Sequence, residues 1–115
     1  MTRLAPESPR SFRDDGRTLS IDVHGCTIAS AVRLVRRAVF EGSWKGRSSV
    51  EVIHGMGSDE PAGSIRGALR AALLSGEWSD HATGHMESGG ARTVISLPLG
   101  KNPDPRRITV RDLTR

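Results

Sequence analysis

The apolar residues in the first third of the chain follow two different periods. Leu19, Ile21 and Val23 alternate with Ser20, Asp22 and His24, the period of a strand with one buried face. Gly25 breaks the pattern, and Thr27 has the side chain of a helix N-cap. Beyond it Ile28, Ala31, Val32, Val35, Ala38 and Val39 fall on one helical stripe, while Arg33, Arg36, Arg37 and Phe40 project elsewhere. This helix is expected to end near Glu41–Gly42. A second strand runs from Ser49 to Ile53 and closes on His54 and Gly55. The turn-rich segment 57–63 leads to a helix from about Ser64, with Ile65, Ala68, Leu69 and Ala72 inward and Arg66 and Arg70 outward. A weaker strand is predicted over Glu77 to Ala82 with Trp78 in the core. Gly84, Ser88, Gly89 and Gly90 then mark turns, and Thr93 to Leu97 is a β-branched strand.

The predicted order is β-α-β-α-β-β, an α/β fold with both helices packed on one mixed sheet. Residues 1–17 are expected to be a flexible N-terminal arm, 18–100 the folded domain, and 101–115 an extended basic tail, in which Ile108, Val110 and Leu113 could add an edge strand. The 115 residues suit one domain. A single cysteine excludes an internal disulfide and a cysteine-based zinc site. No apolar run reaches the roughly 18–20 residues of a membrane span, and nothing near the N-terminus reads as a signal peptide. A cytoplasmic monomer with no membrane partner is the expectation.

Charge changes this picture less than the pI of about 10.5 suggests. Residues 101–115 carry five basic side chains against two acids, whereas 18–100 carry eight of each. Inside the domain the basic residues gather at Arg33, Arg36, Arg37, Lys45, Arg47, Arg66 and Arg70. A one-sided basic surface of this kind attracts phosphate, although outward helix faces commonly carry arginines for solubility alone. Two Phe, two Trp and no Tyr are too few for an aromatic single-strand platform.

The candidate chemistry lies in a local echo. Ile21-Asp22-Val23-His24-Gly25 and Glu51-Val52-Ile53-His54-Gly55 each end a strand in His-Gly just before a helix, and the histidines are 30 residues apart, one βαβ unit. Parallel strands would bring both histidines to one rim of the sheet, where open α/β sheets bind ligands and helix N-termini face anions. His24 and His54 can then divide acid and base roles. Asp22, two residues before His24, shares its side of the strand and either orients it or holds a divalent cation such as Mg or Mn. A lone strand-end histidine is ordinarily structural; two in one unit shift the balance toward a site. His81 and His85 invite a zinc reading, but a surface role fits their strand-and-turn segment better. Cys26 lies beside a helix N-terminus, a setting that lowers a thiol's pKa, but it has no recognisable base. Phe40 is expected to pack under the C-terminal tail.

These motifs resemble the small MutS-related (Smr) domain. Leu19 to Thr27, LSIDVHGCT, is similar to that family's "L-D-L-H-G-x-T" opening. Val52 to Arg66, VIHGMGSDEPAGSIR, resembles its "I-I-H-G-x-G … G-x-L-R" segment, and Gly89 to Leu97, GGARTVISL, its closing "G-G-x-G-A-T-V-V-x-L" strand. The resemblance covers about residues 19–99 and implies a stand-alone domain, with a two-layer α/β fold similar to the C-terminal domain of translation initiation factor three. It also implies nucleic-acid binding and, in several members, endonuclease activity on DNA or RNA. By position it assigns the Asp-x-His pair to Asp22 and His24, and the His-Gly-x-Gly loop to His54, Gly55, Met56 and Gly57. Met56 stands where the family often has lysine, and the last motif is one glycine shorter, with Arg92 able to substitute as the cation.

The expected function is therefore an endonuclease that cleaves phosphodiesters in RNA or structured DNA. Asp22, His24 and His54 would be catalytic. Gly25, Gly55, Met56, Gly57, Ser58, Arg66, Arg70 and Arg92 would meet the nucleic acid. RNA could supply its own 2′-hydroxyl as nucleophile, whereas DNA needs water, with a divalent cation near Asp22. The alternative is a non-catalytic module that binds nucleic acid or the ribosome.

Overall fold

The computed structural model describes residues 8–56, 63–99 and 102–115. Its elements in chain order are β1 (Ser11–Asp14), β2 (Thr18–Asp22), α1 (Ile28–Trp44), β3 (Ser49–Ile53), α2 (Ile65–Ser75), β4 (Gly84–Ser88), β5 (Arg92–Ser96) and α3 (Val110–Thr114). The strands form one mixed sheet in the order β1-β2-β3-β5-β4. Only β2 and β3 run parallel; the other pairs are antiparallel. Leu19, Ile21, Val23, Val50, Val52, Ile95 and Leu97 alternate onto the face buried with Ala31, Val35, Ala38 and Val39 of α1 and Leu69 of α2. The helices are thus one layer and the sheet the other, as the period-two and helical patterns predict. Among the described residues no helix is long and apolar enough to cross a membrane.

Local chemistry explains the element ends. The Thr27 hydroxyl accepts from Ser30 N (3.1 Å), and the Ser64 hydroxyl from Gly67 N (3.0 Å), each satisfying an orphan donor of a first turn. α1 runs to Trp44, past the expected stop at Gly42. That glycine is a contact rather than a terminator. A Cβ there would lie 2.9 Å from Leu97 Cδ1 and 3.1 Å from Leu19 Cδ1, so its absence lets the last turn lie directly on the sheet.

Both ends of the chain depart from expectation. Residues 11–14, expected in a mobile arm, are edge strand β1, with Phe12 paired to Ile21 and packed against the core. Residues 108–114, expected as tail or strand, bury Ile108 and Leu113 and form α3 against α1. Arg47 holds both ends in place, although its charge placed it on a basic face. Its side chain and that of Asp14 are 0% and 1% exposed. Nε and Nη2 donate to the two Asp14 oxygens (both 2.9 Å), and the remaining donors reach the carbonyls of Lys45 (2.8 Å), Asp104 (2.7 Å) and Arg106 (2.8 Å). All five guanidinium N–H groups are satisfied. Burial alone would raise the Asp14 carboxyl pKa. Arg47 and the N–H groups of Ile108 and Gly16 outweigh it and hold the carboxyl below its ordinary value.

Residues 77–82 are turns rather than a strand, because the Trp78 carbonyl accepts from His81 N (2.9 Å) and Ala82 N (2.8 Å). Trp78 is buried as expected. The outer strand is instead β4, beginning at Gly84. Phe40 lies tilted against His81, with ring centroids 4.2 Å apart, and is partly buried against the core.

Candidate active site at the ends of the parallel strands

The ladder between β2 and β3 pairs Leu19 with Val50, Ile21 with Val52 and Asp22 with Ile53. It continues one step further through Val23 N to Ile53 O (2.9 Å). In this register Val23 lies beside His54, and His24 beside Gly55. Side chains alternate along a strand, so the two histidines belong to opposite faces. The rim predicted from the echo does form, but it does not bring the two rings together.

His54 belongs to the helix face and is 6% exposed. Its Nδ1 donates to the Gly55 carbonyl (2.8 Å), which leaves Nε2 of the neutral ring to accept from the Thr93 hydroxyl (2.9 Å). Thr93 is the cross-strand partner of Glu87, which pairs with Arg66 (2.7 Å). His54, Thr93, Glu87 and Arg66 thus make a polar cluster on the helix side, with both ring nitrogens occupied from within the protein.

His24 belongs to the open face, its side chain 45% exposed beside an 18% exposed Asp22. Asp22 Oδ1 accepts from His24 N (3.1 Å) and lies 2.6 Å from Nδ1. A carboxylate only accepts, so Nδ1 carries the proton and Nε2 presents its lone pair outward. Arg10 Nη1 donates to that nitrogen at 2.5 Å. Gly55 lies beside the base of this side chain: a Cβ on it would sit 3.6 Å from His24 Cβ, and its φ of +79° is one that glycine adopts without strain.

Arg10 was invisible to motif reasoning, because it precedes the first motif in a segment with no apolar periodicity. Its backbone N–H extends the β1–β2 ladder to Asp22 O (2.7 Å), and this brings the side chain to His24. Arg92 shares the open face. The register aligns it with Ile53 and, through Ile53, with Asp22, two strands or about 10 Å away. It lies 3.4 Å from Glu51. Gly25, with φ +85°, turns the chain from His24 toward α1. Met56 is 80% exposed, and its sulfur and methyl lie against Gly90 in the β4–β5 turn. Arg66 and Arg70 ride on α2 in the other layer. Gly57 and Ser58 lie outside the described residues.

Neither metal proposal finds a ligand set. Among the described residues no three His, Cys, Asp or Glu side chains converge, and Asp22 Oδ1 is committed to His24. His81 lies tilted against Phe40 with Nδ1 3.3 Å from Ser43 Oγ, and His85 stands on β4. Cys26 departs from the expected activation: burial raises its pKa and the Asp22 charge adds to this, against a smaller opposing effect of Arg10.

Compared with known families, residues 21–97 of the 115 match the model of the Smr domain. The chain belongs to the Smr domain family. The match begins within β2 and ends just after β5, so Asp22, His24 and His54 fall inside it and Arg10 and α3 outside. Membership relates this Smr domain to nucleic-acid-binding, nuclease-type proteins. No curated protein and no solved structure matched the chain.

Proposed function

We propose that this Smr domain is a cytoplasmic, monomeric endonuclease that cleaves a phosphodiester bond with His24 as general base. The observation that carries this reading is the Asp22–His24–Arg10 chain on an exposed strand end, with Asp22 Oδ1 2.6 Å from Nδ1 and Arg10 Nη1 2.5 Å from Nε2. Asp22 fixes the tautomer and stabilises the imidazolium that forms when Nε2 takes a proton. Arg10 turns from Nε2 to a non-bridging phosphate oxygen as substrate enters, and its planar fork suits that group.

On RNA, the 2′-hydroxyl proton passes to Nε2 while the 2′-oxygen bonds to phosphorus. The P–O5′ bond breaks, the departing 5′-oxygen takes a proton from solvent, and a 2′,3′-cyclic phosphate remains. On structured DNA, water is the nucleophile. Arg92 lies on the same face and can meet a neighbouring phosphate. His54 holds the Gly55 turn against β5 and stays outside proton transfer. Labelled RNA and DNA, incubated with wild type and His24→Ala in the presence and absence of chelator, test this reading. Cleavage that persists in His24→Ala would sink it.

The Arg10–His24 contact also favours a second reading. An Nε2 already occupied by a guanidinium suits a module that binds nucleic acid or a ribosome without cutting. Binding by wild type with no cleavage of any substrate would select that alternative.

A further inference from the structure

A cavity of about 300 Å³ lies between α1 and α3, lined by Arg33, Arg36, Arg37, Arg115, Leu113 and Ser8 among others. Two of its arginines are already used. Arg37 pairs with Glu41 (3.2 Å) and donates to the Asp112 carbonyl (3.0 Å), and Arg115 pairs with the Asp112 carboxylate. The other two meet no carboxylate among the described residues. Arg33 reaches Ser30 Oγ at 3.5 Å, and Arg36 lies over the Phe40 ring at 4.4 Å. Both are exposed, and as i,i+3 neighbours they stand side by side on one helix face. The cavity therefore offers two positioned guanidinium forks, with no carboxylate partner among the described residues, above the Leu113 contact, a setting for phosphate oxygens.

We propose that this cavity is a second backbone subsite for the nucleic-acid strand engaged at His24. The proposal rests on the nucleic-acid reading above. Ser8 lines the cavity and is two residues from Arg10, so at most about 7 Å of chain separates the Cα atoms of the two residues. Cys26 Sγ, 3.6 Å from the Ser8 carbonyl, ties this connection to the turn after His24. A strand with one phosphate at Arg10 would thus have others at Arg33 and Arg36. The α3 wall lies outside the Smr match, so the subsite belongs to this chain's own C-terminal segment.

The test measures binding of a fluorescein-labelled single-stranded RNA to the full chain across salt concentrations, in a His24→Ala background that prevents cutting. Arg33→Gln/Arg36→Gln is expected to weaken binding roughly tenfold at low salt and to lower the slope of log affinity against log salt by about 1.4, two phosphates' worth. Arg33→Lys/Arg36→Lys should recover most of that slope. An unchanged affinity and slope in the glutamine variant would overturn the subsite. A difference that millimolar inorganic phosphate abolishes would also overturn it, by making the cavity a small-anion site. A wild type that never cleaves while the slope difference stands would sink only the endonuclease reading. One that cleaves with an unchanged slope would sink only the subsite.

Discussion

His24 and His54 end neighbouring parallel strands with the same His-Gly pair, and their surroundings have almost nothing in common. His54 is buried, with one ring nitrogen donating to a carbonyl and the other accepting from a threonine hydroxyl. His24 is half exposed, held at Nδ1 by a carboxylate and met at Nε2 by the Arg10 guanidinium. One step of register separates them. Asp22, not Val23, stands beside Ile53, so the second histidine follows its strand's last paired residue by one position and the first by two. Identical local motifs can therefore serve opposite ends: one ring ties the β3 turn to β5, and the other faces whatever occupies the open side of the sheet.

The arm that brings Arg10 to His24 offers the sharpest way to break this contrast. It is anchored by the buried Asp14–Arg47 pair, which makes no contact with His54. Asp14→Asn leaves a buried guanidinium without its counter-charge and is expected to cost about 3–5 kcal/mol, read as a fall in urea midpoint. Acid should do the same to the wild type. The Asp14 pKa is depressed in the folded state, so its contribution is complete above the ordinary carboxyl value of 3.8 and is lost as pH falls through the lower folded value. Urea midpoints should therefore drop steeply below about pH 4 in wild type and less steeply in Asp14→Asn.

Asp22→Asn acts on the His24 side alone. It removes the carboxylate that fixes the tautomer, and single-turnover cleavage should slow by on the order of 10²-fold with little change in melting temperature. At His54 the pattern reverses. His54→Ala leaves the Thr93 hydroxyl and Gly55 carbonyl without partners and should cost about 1–3 kcal/mol in chemical denaturation. Gly55→Ala is the smallest effect, about 1–2 kcal/mol, because its strain comes from positive φ, and the added Cβ makes only an ordinary contact with His24 Cβ at 3.6 Å.

The main elements were legible where burial imposes a period: β2, β3 and β5 by alternation, α1 and α2 by their apolar stripes and capping residues. The ends were not. β1 contributes one core side chain, Phe12, and exists because its backbone pairs with β2. α3 follows two prolines, and the anchor of its segment is a buried arginine, which no hydrophobic pattern announces. Asp22 and His24 were readable as a pair because residues two apart on a strand share a face. The relation between His24 and His54 was not, since a repeated motif says nothing about register. Arg10 was hidden for the same reason as β1.

The central claim is that His24 reacts while His54 supports. Single-turnover cleavage of one labelled RNA by wild type, His24→Ala and His54→Gln, each corrected for folded fraction, tests it most directly. The account predicts a loss of about 10²–10⁴-fold in His24→Ala at unchanged stability, and a near-wild-type rate per folded molecule in a less stable His54→Gln. Full activity in His24→Ala, or an equal loss in fully folded His54→Gln, would contradict it.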